Sequence, residues 1–228
     1  MSGSAPSWST IEFDGTPKLS HHAVARAFAP LLLSATEAAG TVHVHLTSDR
    51  SAALAGTLIV ELHLWAQAPA RAAATRTATV VAPALGSSAV FSLETAPLLA
   101  AAKAAPTSAF LRLVFHSNSS SGPIEAEACH WLTPMKGAVL PPAEPTVVGT
   151  TILDAGRAQV RLRSDHTAAF VSVTSLNISG AFSDGAFLLL AGAEKNLTFV
   201  ARSPLADHAA WDGFHAGLRV RSLRDTYD

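Results

Sequence analysis

Histidines two residues apart are the first candidate for metal chemistry in this sequence. His43 and His45 alternate along a strand-like run, so both imidazoles are expected on one face of it, and His63 falls in a neighbouring run. Three imidazoles can ligate zinc, but their spacing matches no zinc-site signature and no carboxylate accompanies them. His21 and His22 are adjacent in a helical segment, where consecutive side chains diverge. We therefore predict no metal site and no cofactor.

No catalytic arrangement is recognisable either among the carboxylates, the cysteine and the serines. Glu125 and Glu127 share a strand face, which is expected to be a solvated face because no third reactive group accompanies them. Cys129 is the single cysteine, so no disulfide can form within the chain, and it is expected as a small, buried strand residue. No G-x-S-x-G elbow supports a hydrolase triad.

Three N-x-S/T sequons offer a modification chemistry instead. Asn118, Asn177 and Asn196 can each accept a glycan in a chain that follows a secretory route, although such triplets also occur by chance. The single cysteine leans towards an intracellular protein. Residues 1–10 are polar without an apolar run, so any targeting signal is expected upstream of them.

The charge balance and the hydrophobic content of the sequence argue against some classes of binding partner. The 228 residues carry 16 basic and 17 acidic side chains, which leaves no electrostatic footprint for nucleic acid or for an anionic membrane. No apolar stretch reaches the ~20 residues that a membrane span needs. With 49% hydrophobic residues, the chain can fill packed cores.

The first predicted secondary-structure element is a helix near the start of the sequence. Pro17 suits a first helical turn, where its missing N–H has no intrahelical partner, and Pro30 ends the helical pattern. Leu19, Ala23 and Ala27 fall near one face, which predicts a helix over residues 17–29. That face needs a partner surface, because so short a helix is marginal on its own in water.

From residue 41 the apolar period changes to two, which predicts short strands in two groups. The first group covers residues 42–47, 58–65, 74–81, 89–93, 109–116 and 124–132, with a helical turn in the Ala-rich run 95–105. The second covers residues 147–153, 158–164, 169–176, 186–190, 196–201 and 216–221. Four prolines in residues 134–145 indicate a connector between the groups.

The predicted fold class is therefore mostly β, with two consecutive immunoglobulin-like β-sandwiches after a short loop-helix leader. The predicted domains are residues 1–35 for the leader, 36–138 for the first sandwich and 139–228 for the second.

Both ends of the chain resemble the β-mannosidases of glycoside hydrolase family 2, most closely the animal lysosomal type. Residues 7–32, SWSTIEFDGTPKLSHHAVARAFAPLL, are similar to that family's last barrel loop and helix, which run S-W-S-S-I-D-Y, a Gly turn, a Lys and a helix ending F-A-P-L-L. Residues 182–199, FSDGAFLLLAGAEKNLTF, are similar to its F-S-D-N-x-F turn and the following strand. Residues 214–227, FHAGLRVRSLRDTY, resemble its closing strand.

The resemblance implies an architecture in which a jelly roll, an immunoglobulin-like domain and a (β/α)8 barrel precede two further sandwiches. This chain then holds the end of the barrel, as a loop and helix, and the last two sandwiches. A retaining glycosidase uses two carboxylates about 5 Å apart, and in this family both belong to barrel strands before the matched segment. The resemblance thus implies a non-catalytic accessory region of an enzyme that releases terminal β-D-mannose from oligosaccharides.

Site residues and partners follow from the same resemblance. Trp8 either borders the sugar cleft or packs its loop against the helix. Phe182, Ser183, Asp184 and Gly185 are expected as a structural turn. The partners implied are the absent barrel, a glycan or a second copy of the chain through the helix at 17–29, and the implied route is lysosomal or secretory.

The alternative is a stand-alone carbohydrate-binding or protein-interaction module. It would stack sugars on exposed aromatic rings, for which Trp8, Trp65, Trp131 and Trp211 are the candidates. An exposed row of tryptophans would favour this module, whereas burial favours a scaffold.

Overall fold

The structure, a computed structural model, describes residues 9–119, 122–205 and 208–227. The helices in these ranges are α1 (Leu19–Ala27), α2 (Thr95–Ala102) and α3 (His208–Gly217). The strands before the connector are β1 (Leu31–Ala38), β2 (Thr41–Ser48), β3 (Leu54–Leu64), β4 (Ala74–Ala82), β5 (Gly86–Glu94), β6 (Ala109–Ser119) and β7 (Gly122–Trp131). Those after it are β8 (Thr146–Asp154), β9 (Arg157–Arg163), β10 (Ala168–Ser175), β11 (Gly180–Phe182), β12 (Phe187–Leu189), β13 (Glu194–Ala201) and β14 (Leu218–Arg221).

Strands β1 to β7 form the first sandwich, in which every strand pair is antiparallel. One sheet has the order β4-β3-β6-β7 and the other β1-β2-β5. The β1–β2 hairpin turns through Ala39 and Gly40, both at positive φ, as a two-residue hairpin turn requires. Alternate residues such as Val42, Val44 and Leu46 point inward and are fully buried, so the period-two pattern builds an aliphatic core.

Strands β8 to β14 form the second sandwich, again from antiparallel pairs. Its sheets have the orders β11-β13-β9-β8 and β12-β10-β14. The core combines strand residues such as Val160 and Phe199 with Trp211 and Phe214 from α3. The helix therefore fills space that the three-residue strands β11 and β12 leave open.

These elements confirm the predicted mostly-β architecture of two sandwiches after a short helix. Helix α1 begins and ends two residues inside the predicted bounds of 17–29. Three elements were not predicted. One is β11, which ends at Phe182, where a turn was expected to begin. Strand β1 pairs with β2 where a helix stop was expected, and α3 occupies residues before 218 where part of a strand was expected.

The chain divides into two compact units. One comprises residues 26–67 and 71–139, and the other comprises residues 1–25, 68–70 and 140–228. The leader up to residue 25 thus belongs to the same unit as the second sandwich, and β1 runs across the boundary placed at residue 35. The three-domain division stays a prediction. Within the described residues, no helix is long and apolar enough to cross a membrane.

Candidate functional site

The leader, described from Ser9 to Phe28, starts with a tight turn that fixes the entry to α1. Gly15 donates a backbone hydrogen bond to Glu12 (2.9 Å) and has φ +84°, a conformation suited to glycine. The carboxylate of Asp14 accepts from the backbone of Thr16 at 2.9 Å. Lys18 donates its backbone N–H to Thr10 across the turn (2.9 Å), so the chain is held in a closed loop before the helix starts.

Two glycines let the leader approach the second sandwich closely. A Cβ on Gly15 would lie 3.2 Å from the guanidinium of Arg202, and a Cβ on Gly185 would lie 2.7 Å from the imidazole of His22. Hydrogen bonds from Thr16 hold the pKa of Asp14 below its usual value, and the charge of Arg202 acts in the same direction. The leader therefore contacts the second sandwich through polar side chains, and at Gly185 a larger side chain would not fit unless His22 moved.

The Phe182–Gly185 turn forms the sandwich side of this attachment. Ser183 donates its backbone N–H to Thr198 (2.8 Å), and its hydroxyl accepts from the backbone of Thr198 (3.0 Å). Asp184 accepts from the backbone N–H of Gly185 (2.8 Å) and pairs with Lys195 at 2.9 Å. These bonds fix the backbone of Gly185 beside His22.

Apolar side chains of the leader remain exposed. No residue of α1 is buried, while Phe13 is 104% exposed and Phe28, just after the helix, is 81% exposed. Ile11, Leu19 and Val24 are also exposed. Exposed apolar residues concentrated in one short segment are typical of a surface that binds a partner.

The tryptophans do not form an exposed row in the described part of the chain. Trp65 and Trp211 are 1% and 4% exposed, and Trp131 is half-buried. Trp65 packs on Phe110, with ring centroids 4.3 Å apart, and Trp131 stacks beside it. Trp8 lies outside the described residues.

The histidine pattern does not converge on a metal site. His43 bonds to Ser92 on β5 (2.9 Å), whereas His45 bonds to Thr36 on β1 (3.3 Å), so the two rings lean to opposite neighbours. His63 lies on the other sheet. Among the described residues no group of three or more His, Cys, Asp or Glu side chains could hold a metal ion.

Two carboxylates meet on the outer face of the β4-β3-β6-β7 sheet, but an arginine lies between them. Arg112 contacts Glu61 at 3.0 Å and Glu127 at 2.8 Å, and His63 donates to Glu61 at 3.1 Å. Burial pushes the pKa of Glu61 upward, but the hydrogen bonds from His63 and Arg112 outweigh it, so the pKa is lowered overall. A general acid needs a raised pKa, so the geometry favours an ion-pair network over catalysis. Sequence reasoning missed it, because only the register places Arg112 beside Glu61.

The remaining carboxylates and the cysteine have ordinary structural positions. Glu12 lies 3.9 Å from Lys18 within the leader. Glu125 is exposed and lies 3.6 Å from His116 on the adjacent strand. Cys129 is on β7, as expected, but it is half-buried and not fully buried. Burial, with the charge of Glu127 adding to it, raises the pKa of its thiol to about 12.

An open groove of about 630 Å³ lies on the second sandwich. Its lining includes Glu144, Arg163, Asp165 and His166, and Arg163 lies 3.9 Å from Asp165. Among the described residues that line the groove, His166 is the one that carries an aromatic ring.

Two protein-family models match the chain, one over each sandwich. Residues 40–137 match the family model of a Mannosidase Ig/CBM-like domain, and residues 143–226 match that of an Ig-fold domain of mannosidases. The chain is 28% identical over 225 residues to a β-mannosidase of Mus musculus and 27% identical over 226 residues to that of Capra hircus. Each alignment covers 98% of this chain but only 24% of the relative.

Solved structures share the fold at lower identity. A β-D-mannosidase of Dictyoglomus thermophilum superposes with a TM-score of 0.70 at 15% identity, over 95% of this chain and 24% of that one. An exo-chitosanase of Amycolatopsis orientalis gives a TM-score of 0.56 at 15% identity, over 94% of this chain and 29% of that one. The chain thus spans about a quarter of the length of the proteins it matches.

Proposed function

We propose that this chain, whose two sandwiches belong to the Mannosidase Ig/CBM-like and mannosidase Ig-fold families, is the non-catalytic accessory region of a β-mannosidase-like glycoside hydrolase. The observation that carries this proposal is coverage, because nearly all of this chain aligns with only 24% of each β-mannosidase. The parent reaction is the retaining hydrolysis of terminal β-D-mannose residues in oligosaccharides.

The exposed side chains of the leader support a docking role for this accessory region. Its polar side is attached to the second sandwich through His22 and Gly185, while Phe13 and Phe28 face solvent. Full burial of a Phe side chain stabilises an interface by about 1.5–3 kcal/mol. The partner of these side chains is the catalytic barrel, which the second sandwich buttresses by holding the leader in place.

The carboxylates of the chain support the non-catalytic part of the proposal. Glu61 and Glu127 approach each other only through Arg112, and this lowers the pKa of Glu61 when an acid catalyst requires the opposite shift. We expect no hydrolysis of p-nitrophenyl β-D-mannoside by the isolated chain. Turnover that rises in proportion to protein concentration would overturn the non-catalytic role.

A chimera tests the docking role. The matching quarter of the mouse β-mannosidase is replaced by this chain, and activity on the same substrate is compared with that of the mouse enzyme lacking the quarter. We expect the chimera to be soluble and active, and the double variant Phe13→Asp/Phe28→Asp to lose most of this activity. Leu85→Asp, at a 71% exposed position of the first sandwich, is the matched control and should keep it.

Two results would count against docking. One is a chimera that is no more active than the truncated mouse enzyme. The other is equal activity of the leader variant and the Leu85→Asp control. If the isolated chain instead forms stable dimers that Phe13→Asp/Phe28→Asp dissolves, a second copy is the partner of the leader.

A further inference from the structure

The second sandwich has one long, unpaired sheet edge. Of the strands that end its two sheets, β11 and β12 have three residues each and β14 has four, whereas β8 has nine. Within the described residues, β8 pairs with β9 on one side only. Very short edge strands protect a sheet, because they present few unpaired N–H and C=O groups. Strand β8 lacks this protection and offers a row of such groups to another strand.

The sequence of β8 also lacks the residues that block edge pairing. Its nine residues read TVVGTTILD, with no proline, no lysine and no charge before the final Asp154, while Val148, Ile152 and Leu153 are exposed. The register with β9 skips Val148 and Leu153, and such bulges can shield an edge. Residues 149–152 between them nevertheless keep an unbroken register with β9, so the middle of β8 is a regular, uncharged template for a further strand.

The pattern of β8 is self-complementary about Thr150. Two valines at 147–148 lie two and three positions before Thr150, and the Ile and Leu at 152–153 lie two and three positions after it. In an antiparallel pair centred on Thr150, each apolar pair of one copy opposes the other apolar pair of the second copy. A two-fold dimer requires such a self-complementary surface, so the pattern fits a second copy of this chain.

Thr150 at the centre of β8 has an unused hydroxyl. It pairs in register with Val160, a fully buried residue of β9, so its side chain points inward. Its Oγ1 is buried and has no hydrogen-bond partner among the described residues, which costs stability. Residues directly opposite in an antiparallel pair have Cβ atoms about 4.5–5.5 Å apart, close enough for two threonine hydroxyls to bond. In the two-fold pair, each Thr150 supplies the partner that the other lacks.

The charges at the ends of β8 also favour a second copy. Thr146 pairs in register with Arg163, and Asp154 pairs with Arg157. Two-fold pairing places Asp154 of one copy opposite Thr146 of the other, so Arg163 of the other copy is two strand spacings away, about 10 Å. An extended arginine side chain spans most of that distance, and the ion pair of Arg163 within its own copy is loose, at 3.9 Å. Each Asp154 then lies between two arginines, one from each copy.

We infer that the edge strand β8 is a dimer interface, on which a second copy of this chain pairs antiparallel with Thr150 opposite the Thr150 of the other copy. The two four-stranded sheets then join edge to edge and end on both sides in β11. Because β11 has only three residues, a third copy finds no comparable edge, and the assembly closes as a dimer. The dimer uses a different surface from the leader and does not require the accessory role of the chain.

Sedimentation of the full 228-residue chain over a range of concentrations tests the dimer. One strand from each copy makes a small interface, so we expect a Kd of about 1–100 µM. Val148→Lys/Leu153→Lys puts charges on the edge at exposed positions and should weaken the dimer at least ~30-fold, because edge lysines prevent pairing. Leu176→Lys/Val200→Lys adds the same charge at exposed positions outside β8 and should leave the Kd unchanged.

A disulfide tests the register. In a Cys129→Ser background, which removes the native thiol, Thr150→Cys should give a disulfide-linked dimer under mild oxidation, because directly opposed residues bring their Cβ atoms near the ~3.8 Å that a disulfide needs. Thr146→Cys is the matched control on the same strand. Each Thr146 opposes Asp154 of the other copy, so the two thiols lie roughly 26 Å apart and should not cross-link.

A wild-type chain that stays monomeric at about 1 mM, ten times the weak end of the expected range, overturns the interface. Equal weakening by the two lysine variants overturns its location, and equal cross-linking of the two cysteine variants overturns its register. A dimer that the leader variant Phe13→Asp/Phe28→Asp dissolves while the β8 lysine variant keeps it overturns β8 and assigns the contact to the leader. The chimera assay does not depend on the dimer, so either proposal can fail alone.

Discussion

The two sandwiches have the same division of four strands against three but fill their cores differently. The first has two strands of 11 residues and a main core cluster that is aliphatic apart from Phe115, while Trp65 and Phe110 are buried together outside that cluster. The second has strands of three and four residues, and its core contains the rings of Phe199, Trp211 and Phe214. Long strands can cover a core with small side chains, whereas short strands need a helix to supply large ones.

The same difference extends to the outer surfaces. The first sandwich joins Glu61, His63, Arg112 and Glu127 into one network. In the second, ion pairs such as Asp154–Arg157 and Asp184–Lys195 are separate. The leader up to residue 25 is associated with the second sandwich, the less regular of the two domains.

The largest difference between the two sandwiches is expected when one buried Phe is replaced in each of them. Phe214 is fully buried, with its ring centroid 4.5 Å from that of Phe199 and 5.5 Å from that of Trp211. Phe214→Ala should lower the free energy of unfolding of the second sandwich by about 3–5 kcal/mol. Hydrogen exchange should become faster there and in leader residues 9–25, because both belong to one unit.

Phe115→Ala is the matched change in the first sandwich, where Phe115 is also fully buried. It should cost a similar amount but leave exchange in the leader unchanged. Faster leader exchange in Phe115→Ala would show that the leader depends on both sandwiches and would remove the contrast between them.

A smaller change should release the leader without unfolding either sandwich. In Gly185→Ala the new methyl group would lie 2.7 Å from the His22 ring, so the ring or the helix must move. We expect a local cost of about 1–2 kcal/mol, seen as faster exchange in residues 9–25 with little change in Tm. In the control Gly213→Ala, no heavy atom lies within 4 Å of the new group, and helix propensity should raise stability by up to about 1 kcal/mol.

The Glu61 network should make the first sandwich sensitive to acid. The folded pKa of Glu61 lies below its ordinary value of 4.5, so its contribution to stability is fully present above about pH 4.5 and is lost as pH falls through the folded pKa. Because Glu61 is only partly buried, solvent screening limits this contribution to about 1 kcal/mol or less.

Glu61→Gln should therefore flatten the stability of the first sandwich against pH below about 4.5, measured by urea unfolding at a series of pH values. Glu125→Gln, at a carboxylate that is 56% exposed, is the control and should change this profile little. An unaltered slope in Glu61→Gln would mean that the network does not contribute to acid sensitivity.

The last expected effect concerns a reaction rate, not stability. With burial raising the pKa of Cys129 to about 12, only about one thiol in 10⁴ is ionised at pH 8, and the thiolate is the nucleophile. Alkylation by iodoacetamide should thus be at least ~100-fold slower in folded than in urea-unfolded protein, followed by mass spectrometry. Equal rates would show that the thiol is accessible and ordinary.

The sequence predicted the elements whose signal is local. Alternation along residues such as Val42 to Leu46 identified strand β2, and the prolines at 17 and 30 bracketed α1. It missed β1, because three consecutive leucines after Pro30 do not alternate. It also missed α3, where two large side chains, Trp211 and Phe214, carry most of the helical signal.

The contact between the leader and the second sandwich could not be predicted from the sequence, for another reason. The turn at 182–185 was interpreted as a turn alone, yet Gly185 also provides the space that His22 occupies. Nothing local to either residue indicates the other, because the whole first sandwich and strands β8 to β11 lie between them in the sequence. Contacts over such distances depend on the whole fold.

The pairing of His22 with Gly185 also sets an order of events during synthesis. Roughly 160 residues separate the two, so at 5–20 residues per second a ribosome takes about 10–30 s to make the second after the first. The first sandwich can fold in this interval, but His22 has no Gly185 to pack against. The leader can therefore complete its attachment only after the second sandwich has been synthesised.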